Sequence, residues 1–100
     1  MNTREYLIKK LEEYPVARYN RFKDWAMLNI NLLVTEHPYL KIGAVIKIDI
    51  DGEIICKVQD FHINCYIDGM SIVVDTGYGN VEYFETEEAT EKELQEYLEN

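Results

Sequence analysis

Basic side chains are scarce in this chain of 100 residues: ten Lys and Arg stand against nineteen Asp and Glu, a formal net charge of −9. That balance argues against direct binding to nucleic acid, where a basic surface must displace phosphate counterions. Proline (two) and glycine (five) are too few for a collagen-like chain or a linker, and 47% apolar residues are too many for a disordered tail. The two cysteines, Cys56 and Cys65, are too few for a disulfide-stapled secreted scaffold and read as buried free thiols in a reducing cytoplasm. Histidine occurs only at His37 and His62, so no zinc-ligand spacing exists. Long hydrophobic runs are missing too. The stretch from Trp25 to Val34 is broken by Asn29 and Asn31 and is too short to cross a bilayer, and Met1 to Lys10 lacks the apolar segment of a secretory signal. The expectation is a cytoplasmic protein of one domain, 1–100, with no membrane span, metal or cofactor.

What is present is clear periodicity. Asn2 to Glu5 forms an N-cap with an acid three residues on, and Leu7, Ile8, Leu11 and Tyr14 follow at helical spacing, predicting a helix over about 3–14. Pro15 ends it and can open the next helix, about 16–36, whose apolar positions run from Tyr19 through Phe22, Trp25 and Ala26 to Leu33. A short strand near Ile30–Val34 is the competing reading there. After Pro38 the period becomes two, and strands are expected at about 39–49, 53–59, 61–67, 70–76 and 81–85. A last helix, about 87–98, is capped by Thr86 or Thr90, with Thr90 and Glu93 at capping-box spacing. The class is α+β: two N-terminal helices, a four- to five-stranded antiparallel meander and an acidic C-terminal helix.

Strand register can be tested on the sequence, because a one-residue slip turns every side chain to the other face. A three-residue loop Ile50-Asp51-Gly52, with Gly52 left-handed, pairs Ile48 with Ile54, Ile46 with Cys56 and Ala44 with Val58, which sorts the faces cleanly. For the second Ile-Asp-Gly, a two-residue turn pairs Ile67 with Met70, Cys65 with Ile72 and Ile63 with Val74, leaving His62 opposite Asp75. Buried parity shifts from even to odd between the hairpins, so Gln59-Asp60 should be a bulge or bend.

Motifs for chemistry are weak. Asp49-Ile50-Asp51-Gly52 resembles the middle of a calcium loop, but Lys47 and Val58 occupy the flanking ligand positions. Gly77-Tyr78-Gly79 precedes no helix and sits in an acidic segment, so it reads as a turn and not a phosphate cradle. His62 facing Asp75 is the one pair with acid–base potential, and Ser71, the only serine, lies apart from it. No catalytic residues are assigned, and an enzyme is not expected.

The charge is unevenly placed. Residues 1–41 carry seven basic and five acidic side chains, whereas residues 42–100 carry three and fourteen. Acids at the start of the last helix complement its dipole; Glu96 and Glu99 at its end do not. A face of carboxylates can imitate a phosphate backbone and steer association with a basic partner; the plainer alternative is a solubilising tail. The eight tyrosines fit either an interface or the core–surface boundary of a small domain. In size, acidity and α+β build the chain is similar to small protein inhibitors such as phage anti-CRISPR and anti-restriction proteins and nuclease-toxin immunity proteins. No motif carries that similarity, and it transfers no residues.

The expected function is therefore non-enzymatic. The chain would mask a basic protein surface, of a nuclease or other nucleic-acid enzyme, through Glu85, Glu87, Glu88, Glu91, Glu96 and Glu99, with Tyr83 and Tyr97 as aromatic anchors. Two alternatives stand beside it. One is a small-molecule-binding or catalytic domain using the sheet face at His62, Tyr66 and Asp75. The other is a homo-oligomer, such as a homodimer, pairing through an exposed edge at Val81–Glu85.

Overall fold

The computed structural model describes residues 1–14, 20–66 and 69–99. Helix α1 (Thr3–Glu12) is followed by α2 (Asn20–Glu36), then strands β1 (Val45–Asp49), β2 (Glu53–Lys57), β3 (Asp60–Tyr66), β4 (Gly69–Asp75) and β5 (Asn80–Glu82). A single 3₁₀ turn (Tyr83–Glu85), a two-residue strand β6 (Glu87–Glu88) and helix α3 (Glu91–Glu99) complete the order. The α+β class is as the sequence indicates. The strands are divided between two antiparallel sheets, ordered β2-β1-β6 and β3-β4-β5.

Both capped helices start where their side chains satisfy the first amides. Asn2 Oδ1 accepts from the Glu5 amide (2.8 Å). At α3 the capping box is complete: Thr90 Oγ1 accepts from the Glu93 amide (3.1 Å) and Glu93 Oε1 from the Thr90 amide (2.9 Å). Thr86, the other candidate cap, is buried and donates to the Tyr83 carbonyl instead (2.8 Å). Ile30–Val34 is helical, because tertiary burial uses its 3.6-residue stripe. The expected start of the second helix at Pro15 and the turn at Ile67-Asp68 lie outside the described residues.

One core joins the two sheets. Leu7 and Leu11 of α1 and Ala26, Ile30 and Leu33 of α2 pack with Ile46, Ile48 and Cys56 of the first sheet and Phe61, Ile63, Ile72 and Val74 of the second. Cys56 is a free buried thiol, and burial pushes its pKa up more than the Thr76 hydrogen bond lowers it.

The first hairpin pairs Ile48 with Ile54 and Ile46 with Cys56, the register expected for the three-residue loop. Within that loop Gly52 has the expected positive φ (121°), and Asp51 before it is positive as well (54°). Asp49 Oδ1 accepts from the Gly52 amide (3.0 Å). The second hairpin departs from expectation by two residues: Ile63 pairs with Ile72 and His62 with Val73, while Asp60 faces Asp75. A slip of two keeps every side chain on its own face, so alternation along the strands cannot detect it. The parity change at Gln59 is the passage between sheets: the Val58 amide bonds the Ala44 carbonyl (2.9 Å) and the Gln59 amide bonds the Asp75 carbonyl (2.7 Å).

Three element limits also differ. The strand expected over 39–49 begins at Val45, because Gly43 (φ 88°) and the Ala44-amide-to-Lys41-carbonyl bond make a turn of its first half. The strand expected over 81–85 ends at Glu82, where the chain coils into the 3₁₀ turn. The helix expected from residue 87 starts at Glu91, since Glu87 and Glu88 pair instead with Lys47 and Ile46 of β1.

Candidate functional site

The C-terminal segment, from the 3₁₀ turn to α3, brings most of the expected acidic residues onto one exposed stretch. Glu85, Glu87, Glu88, Glu91, Glu96 and Glu99 are all exposed. On α3, successive turns place Glu91, Glu99 and Glu96 on one arc of about 140°, with Lys92 among them, and the half-buried Glu93 and Tyr97 on the opposite side. No residue of α3 is fully buried, and no base lies in its last turn.

Lys47 on β1 organises this segment. Its ammonium lies 3.5 Å from Glu87 Oε2 on β6 and 3.5 Å from Glu93 Oε2 on α3, with its side chain 18% exposed. Burial opposes its charge, and the carboxylates of Glu93, Glu53 and Glu87 outweigh that effect and raise its pKa. The Thr90 amide and hydroxyl, with help from Lys47, hold the Glu93 carboxyl below the usual carboxylate range. The six expected glutamates therefore divide. Glu87 is partly engaged internally; Glu85, Glu88, Glu91, Glu96 and Glu99 have no cationic side chain within ion-pair distance among the described residues.

The two expected aromatic anchors fare differently. Tyr97 is half-buried. Tyr83 is only 5% exposed and cannot serve as a surface anchor. The 3₁₀ turn directs its ring inward, where it meets His37 edge-on (centroids 5.8 Å) and its hydroxyl donates to Asn29 Oδ1 (3.0 Å). The neighbouring Phe84 points out instead, 61% exposed. The contacts of His37 with Tyr83 and of Lys47 with Glu87 and Glu93 were not legible in the sequence, because tertiary structure brings these residues together.

The second candidate face lies on β3 and β4. His62 Nε2 and Asp75 Oδ2 are 3.3 Å apart, a diagonal contact in the observed register, and both side chains are over a third exposed. Tyr66 is exposed and its hydroxyl is at the limit of hydrogen-bond reach (3.5 Å) from Ser71 Oγ, away from that pair. Beside Asp75, Asp60 accepts from the Tyr6 hydroxyl and the Phe61 amide (2.8 Å) and pairs with Lys10 (3.1 Å). Burial would raise the Asp60 pKa, but those bonds and the Lys10 charge outweigh it and hold it below the usual carboxylate range. Lys10 also donates to the Phe61 carbonyl (2.6 Å), covering the outer edge of β3. This cluster ties α1 to the sheet and leaves His62–Asp75 at its margin, while the only serine, Ser71, lies beside Tyr66.

Three further features bear on chemistry. The amides of the Gly77-Tyr78-Gly79 turn are taken up internally, with Tyr78 and Gly79 bonding Thr76 Oγ1 and Gly77 bonding Asp75 Oδ1. A cavity of about 530 Å³ opens between the start of α1 and the end of α2, floored by the buried Leu40 and Phe61 and edged by Arg4 and Lys41. Among the described residues, no helix is long and apolar enough to cross a membrane. The chain matches no protein-family model, and no curated protein or solved structure matches it.

Proposed function

We propose that this chain is a non-enzymatic binding protein that masks a basic protein surface, that of a nucleic-acid-handling enzyme, by presenting carboxylates in place of phosphates. The observation that carries this reading is the division of the glutamates around Lys47. One buried-stem lysine secures Glu87 and Glu93 and so fixes β6 and α3, while Glu88, Glu91, Glu96 and Glu99 stay exposed with no cation against them among the described residues. Glu96 and Glu99 sit at the negative end of α3, where each costs several tenths of a kcal/mol, a cost that a cationic partner offsets. Exposed Phe84, next to Glu85, supplies an apolar contact in the place assigned to Tyr83. The mechanism is occlusion, with steering by the local field and no bond made or broken.

The test is capture from an extract of the native host at low and high salt, with the chain and its Glu91→Lys/Glu96→Lys/Glu99→Lys variant as baits. A protein retained by the natural chain at low salt, released at high salt and by added duplex DNA, and not retained by the variant supports the proposal. Retention by both baits alike, insensitive to salt, sinks it.

A further inference from the structure

Helix α2 is apolar on two faces, and the core uses only one. Phe22, Ala26, Ile30 and Leu33 point into the core. On the opposite side the helix presents Arg21, Trp25, Leu28 and Leu32, a spacing of four, three and four that forms a straight seam of the kind two helices share. Leu28 is 57% exposed and Leu32 is 38% exposed, and the Arg21 guanidinium lies 4.8 Å over the Trp25 ring. A solvent-facing helix surface normally carries polar residues at these positions.

We infer that this seam is a homodimer interface, in which α2 packs antiparallel against α2 of a second copy about a two-fold axis between Leu28 and Asn29. Charge selects the occupant. A protein of net charge −9 repels its own copies except through a face that is not acidic. Residues 20–36 hold Arg21 and Lys23 against Asp24 and Glu36, whereas residues 80–99 hold eight glutamates and one lysine. Symmetry then supplies complementarity. With the axis between Leu28 and Asn29, Arg21 of one copy falls beside Glu36 of the other, twice over; Trp25 falls beside Leu32; and the two Leu28 side chains flank the centre. An isologous contact of this kind is self-complementary and closes after two copies. One helix pair buries an area at the low end of specific interfaces, so the dimer is weak, forming at micromolar concentrations. The 3₁₀ turn borders this seam, where the Tyr83 hydroxyl donates to Asn29 Oδ1 (3.0 Å).

Sedimentation equilibrium at about 0.15 M salt, where a Debye length of about 8 Å mutes the net repulsion, tests this over about 10 µM to 1 mM protein. The full chain should move from monomer to dimer, and Leu28→Glu/Leu32→Glu should stay monomeric with an unchanged melting temperature, since both side chains are exposed. Arg21→Glu and Glu36→Arg should each weaken the dimer roughly tenfold, the order expected for a close charge pair turned repulsive. Combined in one chain, the two should restore dimerisation to within about threefold, because the swapped charges again meet across the axis. A natural chain monomeric throughout, a dimer indifferent to Leu28 and Leu32, or a double swap no better than its singles overturns the interface.

Discussion

Lys47 Nζ sits 3.5 Å from Glu87 and 3.5 Å from Glu93, so one side chain on β1 grips both β6 and the first turn of α3. The helix buries none of its own residues, so this grip holds it against the first sheet, while the Thr90–Glu93 box caps its first turn. Lys47→Met should therefore raise amide hydrogen exchange across α3 while leaving β3 and β4 protected. Equal loosening of both regions would place the effect in the core instead.

The Thr90–Glu93 hydrogen bonds, with Lys47 beside them, set a pH dependence. The Glu93 carboxyl is held below its usual range when folded, so its contribution is complete above the ordinary carboxylate pKa and is lost as pH falls through the depressed folded value. Amide exchange in α3, taken relative to the intrinsic rate at each pH, should be slow at neutral pH and rise progressively as pH falls from the ordinary carboxylate range through the depressed folded value. In Glu93→Gln the rise should be absent, with exchange already faster at neutral pH.

Asp60 links α1 to β3 by accepting from Tyr6 and pairing with Lys10. Asp60→Asn keeps the size and removes the charge. Urea unfolding should show a loss of about 1 kcal/mol at neutral pH, modest because the pair is partly exposed. Since the folded Asp60 pKa is depressed, the difference between the two proteins should shrink as pH falls through that value.

Gly52 holds φ at 121° in the first hairpin, a region that side chains rarely adopt. Open space around it removes any steric reason for glycine, so only the backbone demands it. Gly52→Ala should cost about 1–2 kcal/mol in urea unfolding. Gly69, at the start of β4 and with no positive φ, should tolerate alanine within about 0.5 kcal/mol.

His62 and Asp75 touch, yet both are solvent-exposed enough that screening leaves little between them. His62→Ala should shift stability by less than about 1 kcal/mol and leave partner capture intact. Loss of capture in this variant would instead favour the small-molecule reading of that face.

The elements differ in how far their residues announced them. The first hairpin was legible because its loop length decides parity, and parity decides whether Ile46 and Cys56 share a face. The second was not, since pairing Ile63 with Val74 or with Ile72 leaves the same side chains buried. The Thr90–Glu93 cap was legible because it is local; the strand pairing that holds Glu87 and Glu88 away from α3 was not, because two residues carry no period. At the candidate site, exposure of Glu91, Glu96 and Glu99 followed from composition. The inward turn of Tyr83 and the role of Lys47 depended on contacts distant in sequence.

Affinity as a function of salt, measured between this chain and the protein it captures, tests the carboxylate surface most directly. The dissociation constant should rise steeply as salt increases and the screening length shortens. Glu91→Lys/Glu96→Lys/Glu99→Lys should bind at least tenfold more weakly at low salt, with a flatter salt dependence. A dissociation constant that ignores salt, or a charge-reversed variant that binds as tightly as the natural chain, would contradict it.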